Sequence, residues 1–405
     1  MRVLIVSQYF WPENFRINDL ASELVSRGHD VTVLTGLPNY PSGQVFEEYL
    51  ADSEKFSNYK KVRILRVPLL PRGNGALRLL LNYLSFSISA CVLGPWKMRG
   101  QKFDVVLTCQ LSPVTVGLPG AFLAWQKNAP MVMWVLDLWP DTLKAIGVVK
   151  SQRLLAYVGS LVGFIYRRCD LILAQSRSFI PKIQSLAGHC IPVVYFPSWA
   201  EDVFQAEALT PAPEVPIKDG AFNVMFAGNV GEAQDFECIL SAANLLKQYT
   251  HIRWLIVGDG RMSAWVQSEI ELRGLAECVL LLGRHPVERM PEFFVQADAM
   301  LVTLADQEIF SMTIPGKLQS YLAAGMPIIA ALNGEGADVV RSANAGFTCE
   351  AGNADGLAEI VLRMAELPLI ERQAMGKNGL EFSKREFDRR RVVDMAEKYL
   401  SGLLK

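Results

Sequence analysis

The 405-residue sequence contains no C-x-x-C pair: its seven cysteines, at 91, 109, 169, 190, 238, 278 and 349, stand singly, mostly in or beside apolar runs. That excludes a disulfide framework and reads as buried thiols of a reducing compartment. There is no D-x-D carboxylate pair for a metal and no G-x-G-x-x-G fingerprint. Those glycines let pyrophosphate approach the backbone in dinucleotide-dependent dehydrogenases, so their absence argues against that class. An uninterrupted apolar span of about 20 residues is also missing. The nearest candidate, residues 76–96, carries Arg78 and Asn82 and is expected to break at Gly94-Pro95, so no spanning helix is predicted. After Arg2 only four apolar residues precede Ser7, too few for a signal peptide. Net charge is nearly absent too, at a formal −1, but by cancellation. Residues 1–200 hold 21 Lys and Arg against 12 Asp and Glu, net +9, and the remainder 19 against 29, net −10. The basic half is expected to meet something anionic, a membrane surface or a phosphorylated ligand.

What is present is apolar material in short pieces. At 51% hydrophobic and 20% charged, the chain is too apolar for disorder, and its length predicts two domains. Val, Ile and Leu runs at 3–6, 31–34, 62–67, 105–108, 132–135, 171–174 and 193–196 alternate with segments of helical period. A second series follows at 222–226, 254–257, 279–282, 300–304 and 327–331. The pattern predicts an α/β fold of two doubly wound, Rossmann-like domains, 1–200 and 221–380. A proline-bearing linker at 201–220 separates them, and a charged amphipathic helix occupies the end of 381–405. Their strand carboxyl ends are expected to face a central cleft, so chemistry belongs in the loops after strands.

Those loops carry the candidates. Ser7 to Arg16, with Glu13 and Asn14, leads into a helix with apolar Ile17, Leu20 and Leu24, a ready anion site or simply an aromatic-packed helix start. Pro38, Asn39 and Tyr40 lie in a rigid Pro/Gly loop at the expected cleft rim. Asp137 ends a buried strand, and Asp141 is placed to cap the helix after it. In the second half, Gly228, Asn229, Gly231 and Gln234 follow the first strand, where small residues allow amides to wrap a phosphate and a helix near Gln234 adds its dipole. Gly258, Gly260 and Arg261 follow the second strand and Arg284 the third; each alone is more often an ordinary turn than a site, though three consecutive glycine-bearing junctions together are more specific. Finally Pro315 and Gly325 bracket a helix with Lys317 in its first turn, against the dipole, a conflict that a bound phosphate would resolve.

The segments PGKLQSYLAAGMPI, FAGNVGEAQ, GDGR, QYFWPENFRINDLA, TGLPNYPSG and DLWPD resemble the GT-B glycosyltransferases of family 4, in their WbuB-like and WcaI-like branch, over essentially the whole chain. The resemblance implies retaining transfer of a sugar from a nucleotide diphosphate sugar, without metal or other cofactor. It implies a C-terminal helix returning toward the N-terminal domain. The donor would be UDP-N-acetyl-L-fucosamine or another UDP-HexNAc, with GDP-fucose, a UDP-sugar epimerase of the same fold and a non-catalytic nucleotide-sugar binder as alternatives. The acceptor would be an undecaprenyl-diphosphate-linked saccharide, handled by a cytoplasmic enzyme peripheral to the inner face of the bacterial inner membrane; nucleic acid is no partner. Asp137, Glu13 and Lys317 take catalytic roles on this reading. Donor contacts would add Glu308, Ser311, Met312, Thr313, Gly316, Gln319 and Ser320 to the loop residues above, while Arg72 and Arg78 join the acceptor side. The family's usual Arg and Lys of the first C-domain loop are replaced by Asn229 and Gln234, and the paired glutamates by Met312 and Ser320. Lys317 and Arg284 are then the leading cations for the diphosphate. Arg63, Arg66, Arg72, Arg78, Lys97 and Arg99, flanking or within the apolar 77–96 stretch, are expected to form a membrane-surface element.

Overall fold

A computed structural model describes residues 1–73, 75–145, 147, 149, 151–205 and 210–404. They form two compact units, one of Met1–Pro197 with Arg390–Lys405, the other Ser198–Arg389.

The first unit holds eight strands: β1 (Arg2–Val6), β2 (Asp30–Thr35), β3 (Asn58–Tyr59), β4 (Val62–Arg66), β5 (Val105–Gln110), β6 (Met131–Val135), β7 (Leu171–Ala174) and β8 (Val193–Tyr195). Their order is β3-β4-β2-β1-β5-β6-β7-β8, parallel except for the β3–β4 pair. β5 and β6 are buried along their whole length, as continuous β-branched and aliphatic runs require when helices cover both faces. The chain winds outward from β1, then crosses back to β5. The β1/β5 gap is therefore the point where successive loops diverge and ligands are received.

The second unit holds β9 (Phe222–Ala227), β10 (Ile252–Val257), β11 (Val279–Gly283), β12 (Ala299–Thr303), β13 (Ile328–Ala331) and β14 (Gly346–Cys349), ordered β11-β10-β9-β12-β13-β14 and all parallel. Alternate side chains feed two cores. Met225, Ala227, Leu255 and Val257 enter one, and Val224, Phe226, Trp254 and Ile256 the other. Its switch point lies between β9 and β12.

All twelve expected strands are present, and β3 and β14 are additional. β14 is only half-buried and opens at Gly346, where a Cβ would sit 1.8 Å from the Ile328 carbonyl oxygen. Close backbone approach, and not an apolar run, places that strand. The helix Ala76–Lys97 does not break at Gly94-Pro95 as expected. Pro95 removes one ladder bond near the helix end, but the helix continues through it, and Met98 closes the ladder with a 3.0 Å bond to the Gly94 carbonyl. By length and composition Leu77–Lys97 could cross a membrane, yet its inner face is built into the unit through Asn82 and Ser87.

Two boundaries differ from expectation. Residues 381–386 finish the helix Leu369–Glu386, and a separate helix, Arg389–Ser401, follows. Phe382 and Phe387 are buried in the second unit, whereas Val392, Val393, Ala396 and Leu400 are buried on the later helix, so one straight helix could not serve both cores. The last helix is tied to the first unit by Arg27, which bonds Asp394 and, at 3.0 Å, Glu397, and by His29 at 2.9 Å from Glu397. The segment expected as a free linker is strapped to the second unit: Ala212 and Val215 enter its core and Glu214 pairs with Arg289 at 2.7 Å.

Candidate functional site

In the second unit the site is built where β9 ends. The Tyr321 hydroxyl donates to the Ala227 carbonyl at 2.9 Å and accepts the Ala227 N–H at 2.8 Å, pinning the helix Gly316–Ala323 to the strand. Immediately after, Gly228 adopts φ 152°, open to glycine alone, and a Cβ there would lie 3.7 Å from Lys317 Nζ. Lys317 retains some exposure as a residue, but its ammonium has no solvent access and no hydrogen-bond partner. Its nearest support is the Phe226 ring, whose centroid lies 3.8 Å from Nζ. Burial lowers its pKa from the ordinary lysine range to about 7. The helix adds open amides, since its first N–H groups have no intrahelical acceptor. An unpaired buried ammonium, a glycine at the start of the loop and a helix N-terminus meet at one place, an arrangement suited to an anion.

The remaining glycines serve loop packing. A Cβ on Gly258 would lie 1.8 Å from the Gly228 carbonyl oxygen, and one on Gly260 2.2 Å from that of Val230. Gly228 and Val230 donate to the Val257 and Asp259 carbonyls at 2.9 and 3.0 Å, so the loops lie backbone to backbone. Gly258→Ala should therefore destabilise the unit by about 3 kcal/mol or more and abolish anion binding at Lys317. Gly283→Ala, with φ 75° but open space around it, should cost only about 1–2 kcal/mol. Chemical unfolding with a parallel UDP titration checks both.

Other expected donor residues fall in different places. Asn229 Nδ2 reaches the Gln234 Oε1 at 3.5 Å. The helix expected near Gln234 begins at Phe236, after a 3₁₀ turn at Glu232–Gln234, and Asp235 caps it by accepting the Cys238 N–H. A carboxylate already occupies that helix's N-terminus, which removes its expected dipole contribution. Arg261 and Arg284 are exposed, Arg284 within electrostatic reach of Asp259. Glu308 is exposed at the start of the short helix Glu308–Ser311. The Ser311 and Thr313 hydroxyls donate to the Glu308 and Ile309 carbonyls, at 2.8 and 2.9 Å, and Met312 lies half-buried between them. Gln319 and Ser320 are buried and spent on the fold: Gln319 Nε2 donates to the Ser198 carbonyl at 2.8 Å and Ser320 Oγ to that of Gly316 at 3.2 Å. Pro315 is the N-cap residue of the Lys317 helix.

In the first unit, Glu13 is 3% exposed and ties two loops together. Its carboxylate accepts the N–H groups of Asn39 at 2.9 Å, Tyr40 at 2.7 Å and Phe10 at 3.3 Å. Burial pushes its pKa up to about 7, against the pull of those donors and of Arg66. Arg66 is a correction to the expected membrane cations. Its guanidinium turns inward, donating to the Gly36 carbonyl at 2.8 Å and to that of Trp11. Asn39 is fully buried and accepts the Arg72 N–H at 2.9 Å. Pro38 is buried, while Tyr40, Tyr9 and Phe15 form a ring cluster with centroids 5.3–5.6 Å apart and Arg72 stands 5.4 Å from the Tyr40 ring. Asn14 and Arg78 are exposed.

Asp137 follows β6. Its carboxylate takes the Thr142 hydroxyl and, at 3.1 Å, the Trp139 Nε1–H, while Gln110 Nε2 donates 2.8 Å to its carbonyl. Burial raises the carboxyl pKa and the Thr142 and Trp139 bonds oppose it. Thr142, Trp139, Tyr9 and Tyr321 are not among the expected site residues; Tyr9 and Trp139 stand in the loops after β1 and β6, Thr142 and Tyr321 on helices.

The stretch 221–366 matches the family described as glycosyl transferases group 1, and 14–199 matches the glycosyl transferase 4-like domain. The putative colanic acid biosynthesis glycosyl transferase WcaI of Escherichia coli (strain K12) is 25% identical over 343 residues, 80% of this chain and 82% of the relative. The probable glycosyltransferase WbjE of Pseudomonas aeruginosa is 26% identical over 297 residues, 71% and 73% of the two chains. Among solved structures, Anabaena HepE in complex with UDP aligns over 100% of both chains, with TM-score 0.70 at 15% identity. Two doubly wound units that match these two domain models define a glycosyltransferase of GT-B fold. The chain is a glycosyltransferase of this fold, related to the family 4 sugar transferases that include WcaI and WbjE.

Proposed function

We propose that the chain moves an N-acetyl-L-fucosamine or another HexNAc residue from a UDP-sugar to a lipid-linked saccharide, with retention at the anomeric carbon, in surface polysaccharide assembly. The observation that carries this is the unpartnered Lys317 ammonium at Gly228 and the helix N-terminus, which a diphosphate would satisfy. The name of WcaI, with colanic acid as its pathway, and UDP in the related HepE structure support the polysaccharide and nucleotide parts.

In the proposed reaction the bond from the anomeric carbon to the diphosphate oxygen breaks, and the acceptor hydroxyl oxygen bonds to that carbon on the same face. The hydroxyl proton passes to the leaving phosphate. Lys317 and the first amides of its helix stabilise the charge gathering on the diphosphate. Asp137 or Glu13 supports the cationic sugar electrostatically, and Tyr40 with Arg72 receives the acceptor.

Calorimetric titration with UDP and GDP, followed by turnover of a UDP-HexNAc, tests the reading. UDP should bind the tighter, with UDP released only when the lipid-linked acceptor is present. Tighter GDP binding would instead point to GDP-fucose, and epimerised sugar without acceptor to the epimerase.

A further inference from the structure

In the second unit β9 and β12 keep register only at Val224–Ala299 and Met225–Met300, and beyond that point the two strands part. On its other side β9 stays paired with β10 as far as Ala227–Val257, and Gly228 donates to the Val257 carbonyl there. The Ala227 N–H and carbonyl point the opposite way, toward β12, where no strand meets them, and a buried peptide group is costly to leave unpaired. The Tyr321 hydroxyl takes both, donating to the carbonyl at 2.9 Å and accepting the N–H at 2.8 Å. Tyr321 is 1% exposed, and its ring stands edge-on to that of Phe294, with centroids 5.5 Å apart. It follows Lys317 by one turn on the helix Gly316–Ala323, so the two share a face.

The loop that leaves β9 is tied back to β12. Thr303, the last residue of β12, is fully buried, and its hydroxyl donates to the Gln234 carbonyl at 2.5 Å. The Ala305 N–H donates to the Ala233 carbonyl at 2.9 Å. The segment Gly228–Gln234 is therefore held at both ends across the parted strands, by Tyr321 where it begins and by Thr303 where it ends. Gly228 stands at the beginning, with 3.7 Å between the place of a Cβ and Lys317 Nζ. The ammonium has no hydrogen-bond partner of its own, so its place beside the loop is set by its helix, and thus by the two bonds from Tyr321 to Ala227. Both hydroxyls are spent on the backbone, and each acts by placing other groups.

We infer that Tyr321 and Thr303 are positioning residues that hold the Gly228–Gln234 loop and Lys317 in place for the diphosphate of the donor. The inference rests on the reading of Lys317 as the diphosphate's cation. Calorimetric titration of the full chain with UDP at about pH 8, in two buffers of different ionisation enthalpy, tests both and tells them apart. Tyr321→Phe keeps the ring and its contact with Phe294; it should weaken UDP binding about tenfold and take up fewer protons per UDP bound than wild type. A merely structural tyrosine would lower the urea midpoint and leave that proton uptake unchanged. Thr303→Val should weaken binding about three- to tenfold, and Thr303→Ser, which keeps the hydroxyl, should return to within about twofold of wild type. On a Lys317→Met background Tyr321→Phe should cost less than about a further threefold, because the group it places is gone. Wild-type affinity and proton uptake in Tyr321→Phe and Thr303→Val overturn the inference and leave the diphosphate reading standing. So does a Tyr321→Phe loss of undiminished size on the Lys317→Met background. If wild type and Lys317→Met bind UDP alike and without proton uptake, the diphosphate reading falls and this inference falls with it.

Discussion

Lys317→Met is expected to make the protein more stable and nearly inactive. The ammonium is buried with no hydrogen-bond partner, and burial has already dragged its pKa to about 7. Methionine fills a similar volume without a charge to desolvate, so the unit should gain about 1–3 kcal/mol at neutral pH. Turnover should fall about 10²–10³-fold, the scale for removing one preorganised partner of a developing anion. A purely structural lysine would show the opposite pair of effects. The pH dependence carries the same signature: a lysine with a lowered folded pKa leaves the unfolded chain binding more protons between about 7 and 10.5. Its contribution to stability therefore rises with pH across that window and is flat in Lys317→Met. Urea unfolding at several pH values checks this.

Glu13→Ala should be the most destabilising single change in the first unit. It strips the acceptor from the Asn39, Tyr40 and Phe10 N–H groups and leaves the buried Arg66 without its nearby carboxylate. At about 1–3 kcal/mol per orphaned buried donor, and with the 3.3 Å bond to Phe10 the weakest, the loss should be about 3–5 kcal/mol. Glu13→Gln keeps one carbonyl acceptor and should lose about 1–2 kcal/mol. The sign of the pH effect separates the two forms of the residue. A carboxyl raised to about 7 holds its proton in the folded state while the unfolded one ionises near 4.5. Stability from Glu13 is then largest below about 4.5 and declines as pH rises to about 7, a slope absent in Glu13→Gln. Unfolding midpoints between those pH values provide the check.

These two residues also show where sequence reading works and where it stops. Strand periodicity marked twelve of the fourteen strands because buried parallel strands are continuous apolar runs. Pro315 and Gly325 bracketed the Lys317 helix because their backbone preferences are local; the helix spans Gly316–Ala323 and Gly325 takes φ 68°. The lysine's conflict with its own helix dipole was legible, but its burial against Phe226 depends on β9, far away in sequence. Glu13 was legible as a loop carboxylate, whereas its partners lie 26 and 27 residues on, so its tie between loops could not be read. Gly258 and Gly260 stood as turn or donor-site glycines because close approach to a ligand and to another loop makes the same demand on the backbone. The C-terminal segment misled because Phe387 and Val392 have the same polarity but belong to different units.

Proton uptake on UDP binding tests the central claim most directly. Calorimetry at about pH 8 in two buffers of different ionisation enthalpy reads it, because an anion that pairs with Lys317 raises the ammonium's pKa and draws a proton from the buffer. Wild type should take up close to one proton per UDP, and Lys317→Met should take up none and bind more weakly. Equal affinity of the two proteins, with no buffer dependence in either, would contradict the account.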